Sequence, residues 1–305
     1  MAKYAVIDIG TNSIKLCLAE KDVNGNWSVV FDGAEISRLG EGLHATGELT
    51  PAAMDRTRRA LAQMLNVIRQ QGAEQVVAVG TMCLRMAKNA RDFIARVHQD
   101  CGVTIEIISG AEEARLAYLA VKSGIAPDQG RVLMVDAGGG STEFIVGRQA
   151  QIETCVSLNV GAVAYTEQFL ISDPVTPAEF DQAVDAIAKD LAALHVDGNV
   201  EVLIGIGGGV TNLSAVKQQL SGYDPVIIQG STLELSEINR QIDLYRTKTR
   251  AERKQIVGLQ PKRADVILAG AAIIREIMRK VEVDIMTVSD RGLRHGLLLD
   301  RFNRK

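Results

Sequence analysis

An apolar run, an aspartate, a turn of small residues and a second apolar run occur twice in this chain, as VIDIGTNSIKLCLA from Val6 and as MVDAGGGSTEFIVG from Met134. Laid over one another without gaps, the two stretches place Asp8 on Asp136, Gly10 on Gly138 and Ser13 on Ser141. A repeated strand-turn-strand of this kind constrains the fold more than any other feature, because it requires two similar sheets, each opening on the same hairpin.

The pattern around each copy supports that reading. KYAVIDI, SIKLCLAE and WSVVFDG read as strands, with the Asn-Gly turn of DVNGN between the second and third. A helix follows with Thr50 as N-cap, Pro51 at its first position and Gly72 after its last residue, Gln71. Then come strand QVVAVG, a helical stretch from Leu84 to Asp100, strand VTIEIIS and helix GAEEARLAYLAVKS. The order restarts after GIAPDQG with strands RVLMVDA, EFIVGR and QIETCVSL and a long helix introduced by Thr176-Pro177. Two mixed α/β domains are expected, residues 1–124 and 125–305, with the boundary near Ile125 to Gly130.

Composition narrows the setting. The 305 residues, 47% hydrophobic, are enough to fill two cores. With no leader-like N-terminus and no apolar run of membrane-spanning length, a soluble cytoplasmic protein without a membrane partner is expected. Cys17, Cys83, Cys101 and Cys155 are scattered, without C-x-x-C pairing or a nearby His at ligand spacing, and read as buried apolar residues in a reducing compartment. A net charge of −3 argues against nucleic acid as a partner.

A glycine-rich turn after a strand presents successive backbone N–H groups, and its small residues let phosphate oxygens approach them. The aspartate at each strand end would repel bare phosphate but suits a hydrated Mg²⁺ between protein and phosphate. Gly10, Thr11, Asn12 and Ser13 form one such turn, and Gly138, Gly139, Gly140 and Ser141 the other. A third cluster, GIGGG, contributes Gly207 and Gly208. A glycine cluster by itself is more often a plain tight turn; three of them, two in matched register, point to phosphate. None fits the dinucleotide or Walker patterns.

The succession DIGTNS, GTMCLRMAKNARDF, IISGAEEARLAYLAV, VDAGGGSTE, GIGGG, PKRADVILAGA and VSDRGLRHGLLLDRF resembles the exopolyphosphatase and guanosine pentaphosphate phosphatase family over nearly the whole chain. The resemblance implies an α/β fold of two ribonuclease-H-like domains, as in the sugar kinase, heat-shock ATPase and actin superfamily, with the active site in the interdomain cleft. The chain would be a short member without additional C-terminal helical domains.

Family residues map onto this chain one by one. Glu113, in the first turn after SGAE, matches the glutamate assigned as general base, and Arg85 matches an arginine that contacts substrate phosphate. Asp136 and Glu143 match acids associated with the metal and catalysis, and Asp8 is the corresponding acid of the first turn. Glu112 completes the capping box S-x-x-E with Ser109 and reads as structural. The implied activity is release of terminal phosphate from inorganic polyphosphate, with guanosine pentaphosphate as a second substrate, Mg²⁺ as cofactor and room for a homodimer. A kinase or an actin-like nucleotide-binding scaffold of the same superfamily is the alternative.

Three positions depart from the family pattern. Gly209 stands where members usually carry Thr, Ala164 where many have Arg, and His295 where Glu is common; the first two bear on substrate preference, and His295 reads as a helix-surface residue. Finally, Arg246, Lys248, Arg250, Arg253, Lys254, Lys262 and Arg263 concentrate in one segment. A solvated face is the commoner meaning of such a run, yet it would also serve as a track for a long polyanion.

Overall fold

The computed structural model describes residues 2–125, 130–149, 151–196 and 200–303. Two compact units emerge, Met1–Ala120 with Leu293–Lys305, and Val121–Gly292. The first unit holds strands β1 (Ala2–Ile9), β2 (Ile14–Lys21), β3 (Trp27–Glu35), β4 (Gln75–Gly80) and β5 (Ile105–Ile107), in sheet order β3-β2-β1-β4-β5. β1, β2 and β3 form an antiparallel meander, and β4 and β5 run parallel to β1. The second unit repeats this order. There β6 (Arg131–Ala137), β7 (Thr142–Arg148) and β8 (Gln151–Leu158) form the meander, β9 (Val202–Ile206) runs parallel to β6, and β11 (Ile285–Val288) runs parallel to β9. β10 (Thr232–Glu234) adds an antiparallel edge to β11. Each unit thus has the strand order of a ribonuclease-H-like domain, as the duplicated hairpin requires.

Local chemistry explains where the elements begin and end. The helix Pro51–Gln71 starts on the Thr50 hydroxyl, which accepts from Ala53 N at 3.2 Å, and stops at Gly72, whose φ of +70° a side chain would oppose. The helix Pro177–Leu191 is closed by a reciprocal capping box between Thr176 and Glu179. The stretch expected to be helical from Leu84 to Asp100 is instead two helices, Met82–Met86 and Ala90–Cys101. Ala87 between them is extended, and the Asn89 amide is drawn off to both backbone groups of Leu49, at 2.9 Å each. VTIEIIS supplies only the three residues of β5.

The expected division of the chain needs correcting at two places. The first unit ends at Ala120 rather than at residue 124, and residues 126–129 of the expected boundary lie outside the described residues. The larger difference is the helix Leu293–Phe302, which belongs to the first unit. Its Leu293, Leu297 and Leu298 share a buried cluster with Val6, Cys17, Val79, Ile108 and Leu116, each leucine stabilising the unit by roughly 1.5–3 kcal/mol. Polar contacts fix its register: Lys21 Nζ donates to Phe302 O at 2.9 Å, Trp27 Nε1 donates to Asn303 Oδ1 at 2.9 Å, and Arg115 Nη2 donates to Asp300 Oδ1 at 2.8 Å. Arg294 grips both oxygens of Asp32, at 2.6 and 2.9 Å. Burial opposes ionisation of Asp32, but hydrogen bonding to His295 and the Arg294 charge outweigh it and hold the carboxyl at about 2. His295 is accordingly buried against Asp32 rather than on an open helix surface.

Gly296 shows how closely this helix is seated. A Cβ there would stand 1.8 Å from Leu116 O, a backbone atom that no rotamer change can move. Gly296→Ala should therefore lower stability by at least about 1–3 kcal/mol, the scale of an overpacked core. Urea unfolding would show this as a fall in the midpoint, and an unchanged midpoint would contradict the seating described.

Candidate active site

In the first unit, β1 delivers Asp8 to the mouth of the turn Gly10–Ser13. The turn is closed by Gly10 N donating to Ser13 O at 3.0 Å. A Cβ on Gly10 would lie 3.0 Å from that same oxygen, so the closure itself selects glycine. Asp8 is only 2% exposed; its Oδ2 accepts from Lys15 Nζ at 3.1 Å, and its Oδ1 is buried without a hydrogen-bond partner. Asn12 Oδ1 is likewise buried and unpartnered. Two orphaned acceptors at one turn are costly unless something supplies donors.

The same unit brings Arg85 and Glu113 together. Arg85 leaves the helix Met82–Met86 just after β4, and Glu113 lies in the first turn of the helix Gly110–Lys122, just after β5. Arg85 Nη1 donates to Glu113 Oε2 at 2.9 Å and to Ile108 O at 2.8 Å. Glu113 is nine-tenths buried. Cys83 lies close to Thr11, Glu113 and Asp8, and burial pushes its thiol up to about 12 although hydrogen bonding to Thr11 works the other way. It is therefore a poor nucleophile.

The expected capping role of Glu112 is only half present. Glu112 N donates to the Ser109 hydroxyl at 3.1 Å, but the Glu112 carboxylate is taken by Arg115, at 2.8 and 2.9 Å. The i,i+3 ion pair has outcompeted the reach back to the helix start.

The second unit builds the matching turn on the same bond. Gly138 N donates to Ser141 O at 2.9 Å, and a Cβ on Gly138 would lie 2.8 Å from that oxygen. The helix Ala162–Phe169 backs the turn, Ala162 N and Val163 N donating to the carbonyls of Gly138 and Gly139. Glu143 stands cross-strand from Asp136, the position that Lys15 occupies opposite Asp8. Glu143 Oε1 accepts from the hydroxyls of Ser141 and Ser157, at 2.8 Å each, so this buried acid fixes Ser141 at the turn.

The third glycine cluster joins β9 to the helix Gly208–Lys217. Gly207 has φ +91°, and a Cβ on it would meet Asp136 Oδ1 at 2.7 Å. Asp136 and this helix start are therefore neighbours, with the helix's first N–H groups lacking intrahelical acceptors. Arg263 is also here: a Cβ on Gly208 would fall within 2.1–2.6 Å of its guanidinium. Burial lowers the Arg263 pKa to about 10, and its Nε donates to Gln260 Oε1 at 3.2 Å.

This placement corrects the basic track. Arg253 is 1% exposed, its Nε donating to Tyr245 O at 2.8 Å, and Arg250 donates to the carbonyls of Leu170 and Ile171. Arg253 and Arg263 therefore drop out of such a track, whereas Lys254 and Lys262 stay exposed. Lys15, Ser157 and Arg263 are the neighbours that sequence reading missed. The Lys15–Glu143 correspondence was available from the ungapped repeat, whereas nothing local distinguishes Arg263 from its solvated neighbours.

Each unit thus carries its own aspartate-and-glycine turn, a backbone arrangement that suits phosphoryl oxygens. The chain belongs to the Ppx/GppA phosphatase family, whose model matches residues 6–305. It is similar to Exopolyphosphatase 2 of Mycobacterium tuberculosis, with 31% identity over 314 residues covering 98% of each chain. It is also 31% identical to the guanosine-5'-triphosphate,3'-diphosphate pyrophosphatase of Vibrio atlanticus, covering 99% of this chain and 60% of that protein. Among solved structures, the Aquifex aeolicus PPX-GPPA enzyme aligns with TM-score 0.80 and 34% identity over 98% of this chain and 99% of its own. An exopolyphosphatase-like protein aligns with TM-score 0.92 and 30% identity over 98% and 97%.

The glycines of the third cluster should not be interchangeable. Gly207→Ala forces a side chain into left-handed backbone against Asp136 and should cost about 1–3 kcal/mol, with phosphatase activity falling alongside. Gly209 has open space where its Cβ would be and no positive φ. Gly209→Thr should fold normally and raise affinity or turnover on one phosphate substrate; thermal unfolding and steady-state kinetics on both variants decide this.

Proposed function

We propose that this protein releases terminal orthophosphate from inorganic polyphosphate by direct attack of water, with the terminal phosphate of guanosine pentaphosphate as a second substrate. The observation that carries the reading is the buried Glu113 carboxylate hydrogen-bonded to Arg85 in the unit that also holds the Asp8 turn. A guanidinium paired with a carboxylate will also pair with a phosphate, whose oxygens match the same fork. When substrate draws Arg85 away, Glu113 is left to orient a water and take its proton as the water oxygen attacks the terminal phosphorus. The bond from that phosphorus to the bridging oxygen breaks, and the shortened chain leaves.

The remaining residues have roles suited to their positions. In each unit the N–H groups that follow the closing glycine, Thr11–Ser13 in the first and Gly139–Ser141 in the second, and in the second also the helix start at Gly207 and Gly208, are suited to bind phosphate oxygens and offset their charge. Arg263, against Gly208, adds a fixed positive charge to that group. Glu143 holds Ser141 ready to donate. Mg²⁺ fits the Asp8 turn, where the orphaned Oδ1 is an acceptor that the metal's waters would satisfy; Asp8 would hold it there, and Asp136 and Glu143 are the acids suited to that role in the second unit. Bound there, Mg²⁺ would neutralise part of the phosphate charge. Polyphosphate comes first because the exopolyphosphatase relative matches this chain end to end. The four free thiols accord with residence in the cytoplasm. A homodimer belongs to the same proposal, and sedimentation analysis would distinguish it from a monomer.

Phosphate release from polyphosphate, guanosine pentaphosphate and ATP, measured side by side with and without Mg²⁺, tests the assignment. Release should be fastest from polyphosphate and abolished by chelation; transfer from ATP to an acceptor without phosphate release would indicate a kinase. Glu113→Gln should lower kcat by roughly 10²–10⁴-fold, the scale of general-base loss, with binding retained. Glu112→Gln should change kcat less than about 3-fold, since its ion pair with Arg115 is half-exposed and such pairs are worth little. Equal effects from the two substitutions would contradict the division of roles.

A further inference from the structure

We propose that Cys17, Asp32 and His295 form a binding site for Zn²⁺ or a similar borderline-soft divalent cation, separate from the phosphate chemistry. The three side chains come from different elements of the first unit: β2, β3 and the helix Leu293–Phe302. Cys17 and Asp32 are direct cross-strand partners, so both side chains emerge on one face of the sheet. The helix Leu293–Phe302 lies on that face, bringing His295 Nε2 to 3.0 Å from Asp32 Oδ2. One ligand atom from each residue falls within 4.8 Å of the other two. In a tetrahedral zinc site, metal-to-ligand distances of about 2.0–2.3 Å place neighbouring ligand atoms roughly 3.5 Å apart. On binding, the three ligand atoms would close by up to roughly 1.3 Å.

The donor chemistry selects the metal. Thiolate, imidazole and carboxylate together favour zinc over a hard ion such as magnesium. Zn²⁺ would replace the thiol proton of Cys17, release it to solvent, and take the Nε2 lone pair of His295 with the ring proton on Nδ1. Arg294, on both oxygens of Asp32, is the kind of outer partner that orients a ligating carboxylate. Asp32 is partly open to solvent, which gives the ion an entry and leaves water as the fourth ligand. A plain buried ion pair would account for Asp32, Arg294 and His295; the sulfur of Cys17, packed beside them, adds the third donor that a metal site needs.

The test titrates metal-stripped full-length protein with Co²⁺ and follows its absorption. Expected are one tightly bound Co²⁺ per chain, a sulfur-to-cobalt charge-transfer band, tetrahedral visible bands, and displacement by Zn²⁺. Cys17→Ser should abolish the charge-transfer band, and His295→Gln should weaken binding by more than about 10-fold. Absence of the band in the unaltered protein overturns the proposal, as does a band that survives Cys17→Ser, which would belong to another cysteine. If Cys17→Ser does not fold, undiminished affinity in both His295→Gln and Asp32→Asn overturns it equally.

Discussion

One backbone hydrogen bond, made twice, organises both units: the N–H of a glycine two residues after an aspartate, given to the carbonyl of the serine three residues further on. It turns the chain tightly enough for an antiparallel partner strand to start at once, which sets the register that places Lys15 opposite Asp8 and Glu143 opposite Asp136. Sheet order and the position of the acids in each unit therefore follow from a single closure. Glycine is selected there because the accepting oxygen occupies the space its Cβ would need.

The two turns have diverged in what stands behind them. In the first unit the acid faces a lysine and keeps one oxygen unsatisfied; in the second the cross-strand position is itself an acid that holds the turn serine through its hydroxyl. A duplicated frame has thus become two electrically different environments. The buried orphan at Asp8 is a cost the fold carries until donors arrive, which is characteristic of binding sites more than of cores.

Much of this was legible in the sequence because its signals are local. Thr50, Pro51 and Gly72 fix a 21-residue helix from within its own span, and the paired hairpins predict the sheet order. The failures share a cause. Whether Arg253 and Arg263 are solvated or buried depends on Tyr245, Ala264 and Gly208, which no charge count includes. The capping role of Glu112 lost to Arg115, an equally local alternative that S-x-x-E does not reveal. His295 looks like a surface residue until a strand more than 250 positions earlier supplies Asp32. Sequence periodicity reports on elements; it is silent on which distant element covers them.

The return of the helix Leu293–Phe302 to the first unit has a consequence for the order in which the protein is made. The unit begun first on the ribosome cannot complete its core until residues near the end of the chain have emerged, whereas residues 121–292 form a contiguous unit whose parts are all available earlier. The usual N-terminal-first sequence of co-translational folding is thereby inverted. During synthesis, the face of the first sheet bearing Val6, Cys17 and Val79 must wait with only Ile108 and Leu116 to cover it, so the nascent chain carries an apolar surface that the finished protein never shows.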